Sequence, residues 1–219
     1  MLVCRKFPLN MTMLTVQDLT VYRSDKQLFN QLTFELRPGD IVQISGRNGA
    51  GKTTLLRTIA GLNPADSGYV SWQGQSLNHC RDSYYRDMIF LGHVIGLKRE
   101  LSAIENLTFY QTMQNMGTDI EAVFAALAKV GLAGREDLPI GQLSAGQQRR
   151  VALARLWLSQ QTLWVLDEPF TSIDKQGIRV LEALFEHHAK QGGMIVLTSH
   201  QDALLAHTQL KHIRLGDVS

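Results

Sequence analysis

The stretch Gly46-Arg47-Asn48-Gly49-Ala50-Gly51-Lys52-Thr53, followed by Thr54, leaves this chain few architectures to choose from. It matches the phosphate-loop pattern G-x-x-x-x-G-K-[ST] in full, and its setting is right on both sides. Ile41 to Ser45 is a β-branched run that predicts a buried strand. Thr53 to Leu62 reads as a helix, with Gly61 near its end and Pro64 just past it. Glycines permit a tight loop whose N–H groups converge on phosphate oxygens, and the start of the helix adds about half a positive charge. Lys52 is expected to reach the β- and γ-phosphates, and the Thr53 hydroxyl to ligate Mg²⁺. The pattern predicts binding of a nucleoside triphosphate.

A chain of 219 residues suits one large domain or a core plus a subdomain, and 44% apolar content leaves room for a core. The net charge of +2, without a basic stripe, points to no nucleic-acid partner. Cys4 and Cys80 have no metal or redox spacing and read as reduced thiols of a cytosolic protein. No apolar run approaches a membrane span, so another polypeptide would have to provide any spans. Residues 1–12 read as a loose tail or a misassigned start, since Met11 and Met13 both precede the first convincing strand.

Leu14 to Tyr22 and Leu28 to Leu36 read as strands, with Arg23 to Gln27 turning between them. Tyr22, at a strand end, is placed either to stack on a nucleotide base or simply to pack. Asp66-Ser67-Gly68 is expected to turn into a strand over Tyr69 to Gln73. Arg81 to Asp87 is only polar, and Met88 to Leu91 is the next buried strand. From about Ser102 to Ser159 the pattern is helical, with Val123, Phe124, Leu127 and Val130 expected on one face. This predicts a helical insertion into an α/β core. Gly177 to Lys190 reads as a helix, Met194 to Thr198 as a buried strand and His212 to Leu215 as the last strand. His187 and His188 are expected on a solvated helix face.

Leu163 to Leu166 is an apolar run ending in Asp167-Glu168-Pro169. At the exit of a buried strand, Asp167 can hold Mg²⁺ through its water shell while Glu168 faces the γ-phosphate as general base. Leu143-Ser144-Ala145-Gly146-Gln147-Gln148-Arg149-Arg150 stands directly ahead of a long helix, where Ser144 suits an N-cap.

Together these residues resemble the ATP-binding-cassette (ABC) ATPase family from Leu14 to Leu215. Its signature LSGGQ appears as LSAGQ. Tyr22 matches the adenine-stacking position, and Gly46, Asn48, Gly49, Gly51, Lys52, Thr53 and Thr54 fall in its Walker A loop. Leu163 to Asp167 matches the Walker B strand, Glu168 the catalytic glutamate, Thr171 to Asp174 the D-loop and His200 the switch histidine. The resemblance implies an α/β P-loop NTPase core with an antiparallel β subdomain over residues 13–91 and 160–219. It also implies an inserted α-helical subdomain over 92–159 that carries the signature. ATP and Mg²⁺ are the implied ligands, with Lys52, Glu168 and His200 catalytic and Thr53 and Asp167 on the metal. Two copies would meet head to tail, Ser144, Gly146, Gln147 and Asp174 of one chain completing the nucleotide site of the other. One landmark departs: the Q-loop glutamine position reads Leu91-Gly92-His93, and an imidazole is a poorer Mg²⁺ ligand than an amide oxygen.

Leu91-Gly92-His93, Glu100 to Leu107, LSAGQQRRVALARLWL and LDEPFTSID are similar to the ATP-binding subunits of the bacterial cytochrome c maturation system. So is the end of the chain at Ser219, with no accessory C-terminal domain expected. That resemblance implies a peripheral subunit at the cytoplasmic face of the inner membrane. Its implied partners are CcmB and CcmC with CcmD, and its hydrolysis would drive release of heme-loaded CcmE. No heme site is expected in this chain. The alternative is an ABC ATPase serving another substrate. A soluble member acting on ribosomes or DNA ranks low, because there is one cassette and no heptad array.

Overall fold

The computed structural model describes residues 13–114, 117–199 and 210–216. The expectations for residues 1–12 and for His200 lie outside the described residues. In chain order the elements begin with β1 (Leu14–Arg23), β2 (Lys26–Leu36), β3 (Ile41–Gly46), α1 (Lys52–Ile59), β4 (Ser67–Trp72) and β5 (Gln75–Ser76). Then come α2 (Leu77–Asp87), β6 (Met88–Leu91), α3 (Ala103–Met113), α4 (Ile120–Lys129), a 3₁₀ turn (Ile140–Gln142) and α5 (Ala145–Leu158). The chain continues through β7 (Leu163–Leu166), α6 (Lys175–Lys190), β8 (Met194–Thr198) and β9 (Leu210–Leu215). The described residues fall into two compact units. The first is bounded as Met1–Gly92, Gln160–Pro169 and Phe185–Ser219, the second as His93–Ser159 and Phe170–Leu184.

The first unit contains two sheets. One is antiparallel, in the order β2-β1-β4-β5; the other has five strands in the order β6-β7-β8-β3-β9. Every pairing in the second sheet is parallel. Parallel strands covered on both faces are apolar throughout rather than alternating, and β7 and β8 are buried at every position. Only β8 separates β3 from β7. The loop after β3 and the residues after β7 therefore leave the same C-terminal edge of one sheet, where open α/β folds place ligands.

Several local expectations change in the tertiary structure. The β1–β2 hairpin turns at Ser24 and Asp25 alone, so Lys26 and Gln27 already pair in the ladder. Ser67 and Gly68 belong to β4 rather than to a turn ahead of it. Gly68 has φ +77, and a Cβ there would lie 2.3 Å from the Asp18 carbonyl oxygen, where the β1–β4 register also shifts. Glycine is required by this close approach at a bulge. Arg81 to Asp87 is helical, following a kink at Cys80 (φ -132, ψ 24), and this stretch turns Tyr84 inward. The Tyr84 hydroxyl donates to the Ile59 carbonyl at 2.7 Å, tying that helix to the end of α1.

His188 is the largest correction. It is buried, its ring lies 3.7 Å from that of Trp164 at an interplanar angle of 11°, and Nε2 is 3.2 Å from the Thr162 carbonyl oxygen. His187 is exposed as expected. Adjacent helical positions point about 100° apart, so two neighbouring histidines need not share an environment.

The second unit packs α3, α4 and α5 around Leu107, Val123, Leu127, Ile140, Val151 and Ala154. Val123 and Leu127 are buried as expected, but Phe124 is 42% exposed and Ala126 takes the inward place. The apolar stripe of α4 is narrower than its composition suggests.

Candidate active site

The phosphate loop joins β3 to α1 as the spacing predicts. A Cβ on Gly46 would sit 2.5 Å from the Leu215 carbonyl oxygen, and its φ is +147. Its glycine thus serves the close packing of β9 against the loop. Lys52 is buried, and its Nζ donates to the Gly46 carbonyl at 2.8 Å, so the lysine closes the loop onto itself. Asn48, Gly49, Gly51, Thr53 and Thr54 line a cavity of about 540 Å³ together with Lys52 and Glu168. The first turn of α1 contains no acidic residue of its own, and its positive end faces this cavity, with the carboxylates of Asp167 and Glu168 coming from the end of β7.

Asp167 is almost completely buried and accepts on both oxygens. Thr53 Oγ1 donates to Oδ2 at 2.9 Å, and Thr198 Oγ1 donates to Oδ1 at 2.8 Å. The Thr198 hydroxyl in turn accepts the Glu168 backbone N–H at 2.9 Å. Glu168 has φ +51, a region that few non-glycine residues occupy and that recurs at functional sites. Thr53 and Asp167 present two hard oxygens side by side. Among the described residues no group of three His, Cys, Asp or Glu side chains could hold a metal by itself. That donor set suits Mg²⁺, which keeps most of its shell as water and phosphate oxygens.

Tyr22 is 48% exposed and lines a neighbouring cavity of about 540 Å³ that shares Thr53 and Thr54 with the first. Its backbone N–H donates to Asp66 Oδ2 at 2.8 Å, which fixes the strand end from which the ring projects. His93 is exposed after β6.

Ser144, Gly146, Gln147 and Asp174 belong to the second unit. Ser144 caps α5 in a reciprocal box: its Oγ accepts the Gln147 N–H at 3.3 Å, and Gln147 Oε1 accepts the Ser144 N–H at 2.8 Å. The first turn of α5 also lacks acidic residues, and Ser144 and Ala145 are exposed. A Cβ on Gly146 would lie 3.4 Å from the Ser172 carbonyl oxygen. Asp174 Oδ1 accepts the Gly177 N–H at 2.7 Å, so its side chain caps α6.

Sequence reasoning missed three residues. Arg23 and Lys26, read as turn formers, line the phosphate-loop cavity. Thr198, by sequence only the end of a buried strand, bonds both Asp167 and Glu168. The available signal was a lone hydroxyl closing the run Met194-Ile195-Val196-Leu197, where burial demands a partner.

A family model described as ABC transporter matches residues 29–171. The cytochrome c biogenesis ATP-binding export protein CcmA of Vibrio parahaemolyticus serotype O3:K6 is 58% identical over 205 residues, covering 94% of this chain and 100% of that protein. Its namesake in Vibrio cholerae serotype O1 is 58% identical over 205 residues, covering 94% and 99%. A solved ATP-binding subunit of an ABC transporter superposes with a TM-score of 0.77 at 26% identity, over 86% of this chain and 80% of that one.

Proposed function

The chain belongs to the ABC transporter family, and from that premise we propose that it is the ATP-hydrolysing subunit of a bacterial membrane complex in c-type cytochrome biogenesis. The observation that carries the enzymatic part is the buried Asp167 carboxylate. It is held by the phosphate-loop Thr53 on one side and flanked by Glu168 at the cavity wall.

The triphosphate of ATP would lie along Gly46 to Thr54, its charge met by backbone N–H groups, Lys52 and the start of α1. Tyr22 would stack on the adenine. Thr53 directly, and Asp167 through water, would hold a Mg²⁺ ion that neutralises charge on the β- and γ-phosphates. Glu168 would take a proton from a water molecule as that water's oxygen bonds to the γ-phosphorus. The bond from the γ-phosphorus to the β–γ bridging oxygen breaks, and ADP and phosphate leave. His200 would contact the γ-phosphate or orient the water.

A second copy completes this proposal. Ser144, Gly146, Gln147 and the uncompensated N-terminus of α5 would supply donors to the γ-phosphate bound on the partner's Walker A loop, with Asp174 nearby. Among the described residues no helix is long and apolar enough to cross a membrane. The spans of the complex would come from CcmB and CcmC with CcmD. The chain would sit peripherally on the cytoplasmic face of the inner membrane, and its turnover would drive heme handling and the release of heme-loaded CcmE.

Deleting the gene tests the role. Covalent heme in c-type cytochromes should disappear from heme-stained gels and return with the wild-type chain but not with Lys52→Ala. Normal c-type cytochromes in the deletion strain would overturn the assignment.

A further inference from the structure

We propose that Thr198 is a positioning residue for ATP hydrolysis, aiming Asp167 and Glu168 together through one hydroxyl group; this rests on the reading of those two carboxylates given above. β8 is apolar until its last residue, and all five of its positions are buried. A hydroxyl in such a place is tolerated when its donor and acceptor capacities are both used. At Thr198 both are used on the site. The proton goes to Asp167 Oδ1 at 2.8 Å, and the oxygen accepts the Glu168 N–H at 2.9 Å. Leu166 pairs with Leu197, so the parallel register sets Thr198 directly beside the step from Asp167 to Glu168.

The two bonds do different work. Thr53 holds Oδ2 of Asp167 and Thr198 holds Oδ1, so the carboxylate plane is pinned from both oxygens and keeps facing the phosphate loop. Glu168, at φ +51, leaves the strand in an uncommon direction, and the N–H leading into that residue ends on the Thr198 oxygen. Where the Glu168 side chain starts is therefore tied to the same atom. Loss of that one oxygen frees the Glu168 N–H and one oxygen of Asp167, while Thr53 still holds the other. It leaves untouched the contact between Lys52 and Gly46 that shapes the phosphate loop.

Thr198→Val in the full-length chain removes the hydroxyl at constant shape. Misplacing reacting groups by about 1 Å can cost about 10²-fold, so kcat for ATP should fall by about that factor. The KM and Kd for MgATP should stay within about threefold, because binding and chemistry separate in this way when only transition-state positioning is lost. Thr198→Ser should recover most of the rate. If the valine variant does not fold, Thr198→Ala against Thr198→Ser decides the question, since both lack the methyl group and differ by the hydroxyl. Wild-type kcat in Thr198→Val, a proportionate rise in KM with kcat unchanged, or a serine variant no faster than alanine would overturn the proposal. Glu168→Gln is run alongside. Wild-type turnover in that variant overturns the base assignment and this proposal with it. A slow glutamine variant beside a fast valine variant overturns the role of Thr198 alone.

Discussion

The Thr53 hydroxyl donates to Asp167 Oδ2 over 2.9 Å, joining residues 114 positions apart. Two sequence motifs thereby become one oxygen-lined corner beside the phosphate-loop cavity. Asp167→Asn keeps the shape and replaces one oxygen by a donor. The Mg²⁺ concentration for half-maximal ATP hydrolysis should rise by about tenfold or more, a loss of roughly 1.4 kcal/mol. Binding of ATP without Mg²⁺ should change little. A Mg²⁺ titration checks this, and an unshifted midpoint would remove Asp167 from the metal site.

Glu168→Gln removes the proton acceptor while leaving the phosphate loop intact. Hydrolysis should slow by about 10²–10⁴-fold, with ATP still bound and the closed dimer favoured. Steady-state turnover together with size-exclusion chromatography in ATP reads both effects. Near-normal turnover would sink the assignment of Glu168 as base.

The exposed start of α5 carries a prediction about sharing. Ser144→Arg places a large cation where the partner's γ-phosphate is proposed to bind. In a mixed dimer the damaged nucleotide site should be the one built on the other protomer's Lys52. Labelling each Walker site separately and measuring nucleotide trapping distinguishes the two. Loss that tracks the mutated chain's own Lys52 would reject the head-to-tail arrangement.

His188 makes stability depend on pH. Burial pushes its pKa from 6.5 down to about 4, helped by the neighbouring His187 and opposed by hydrogen bonds to Thr162 and Met194. The folded chain therefore keeps the ring neutral where the unfolded chain protonates it. The stabilisation is complete above about pH 6.5 and drains away as pH falls toward 4, by an amount on the order of 3 kcal/mol. Urea midpoints at pH 7.5 and 5.0 should differ less in His188→Phe, which keeps an aromatic ring against Trp164 but cannot titrate. Equal pH dependence in the two proteins would exclude this histidine as a source.

Gly193 tests the same contact sterically. A Cβ there would lie 2.2 Å from His188 Nε2, and the ring is held against Trp164, which limits its retreat. Gly193→Ala should destabilise the fold by about 1–3 kcal/mol and leave ATP affinity unchanged. A melting temperature equal to that of the wild type would show that the ring moves freely.

The motifs at the ends of β3 and β7 were legible because their demands are local. A phosphate loop needs glycines and a lysine at fixed spacing, and strands covered on both faces are continuous apolar runs. The Ser144 cap was legible for the same reason, since its partner Gln147 is three residues away. What the linear order did not carry was which element lies next to which. The order β7-β8-β3 brings Thr198 to Asp167 and turns the end of a buried strand into a site residue. The stack on Trp164 likewise makes His188 a core residue, although its neighbour His187 faces solvent. Hydrogen bonds and ring contacts between distant segments depend on sheet order and register, and no short window of sequence encodes either.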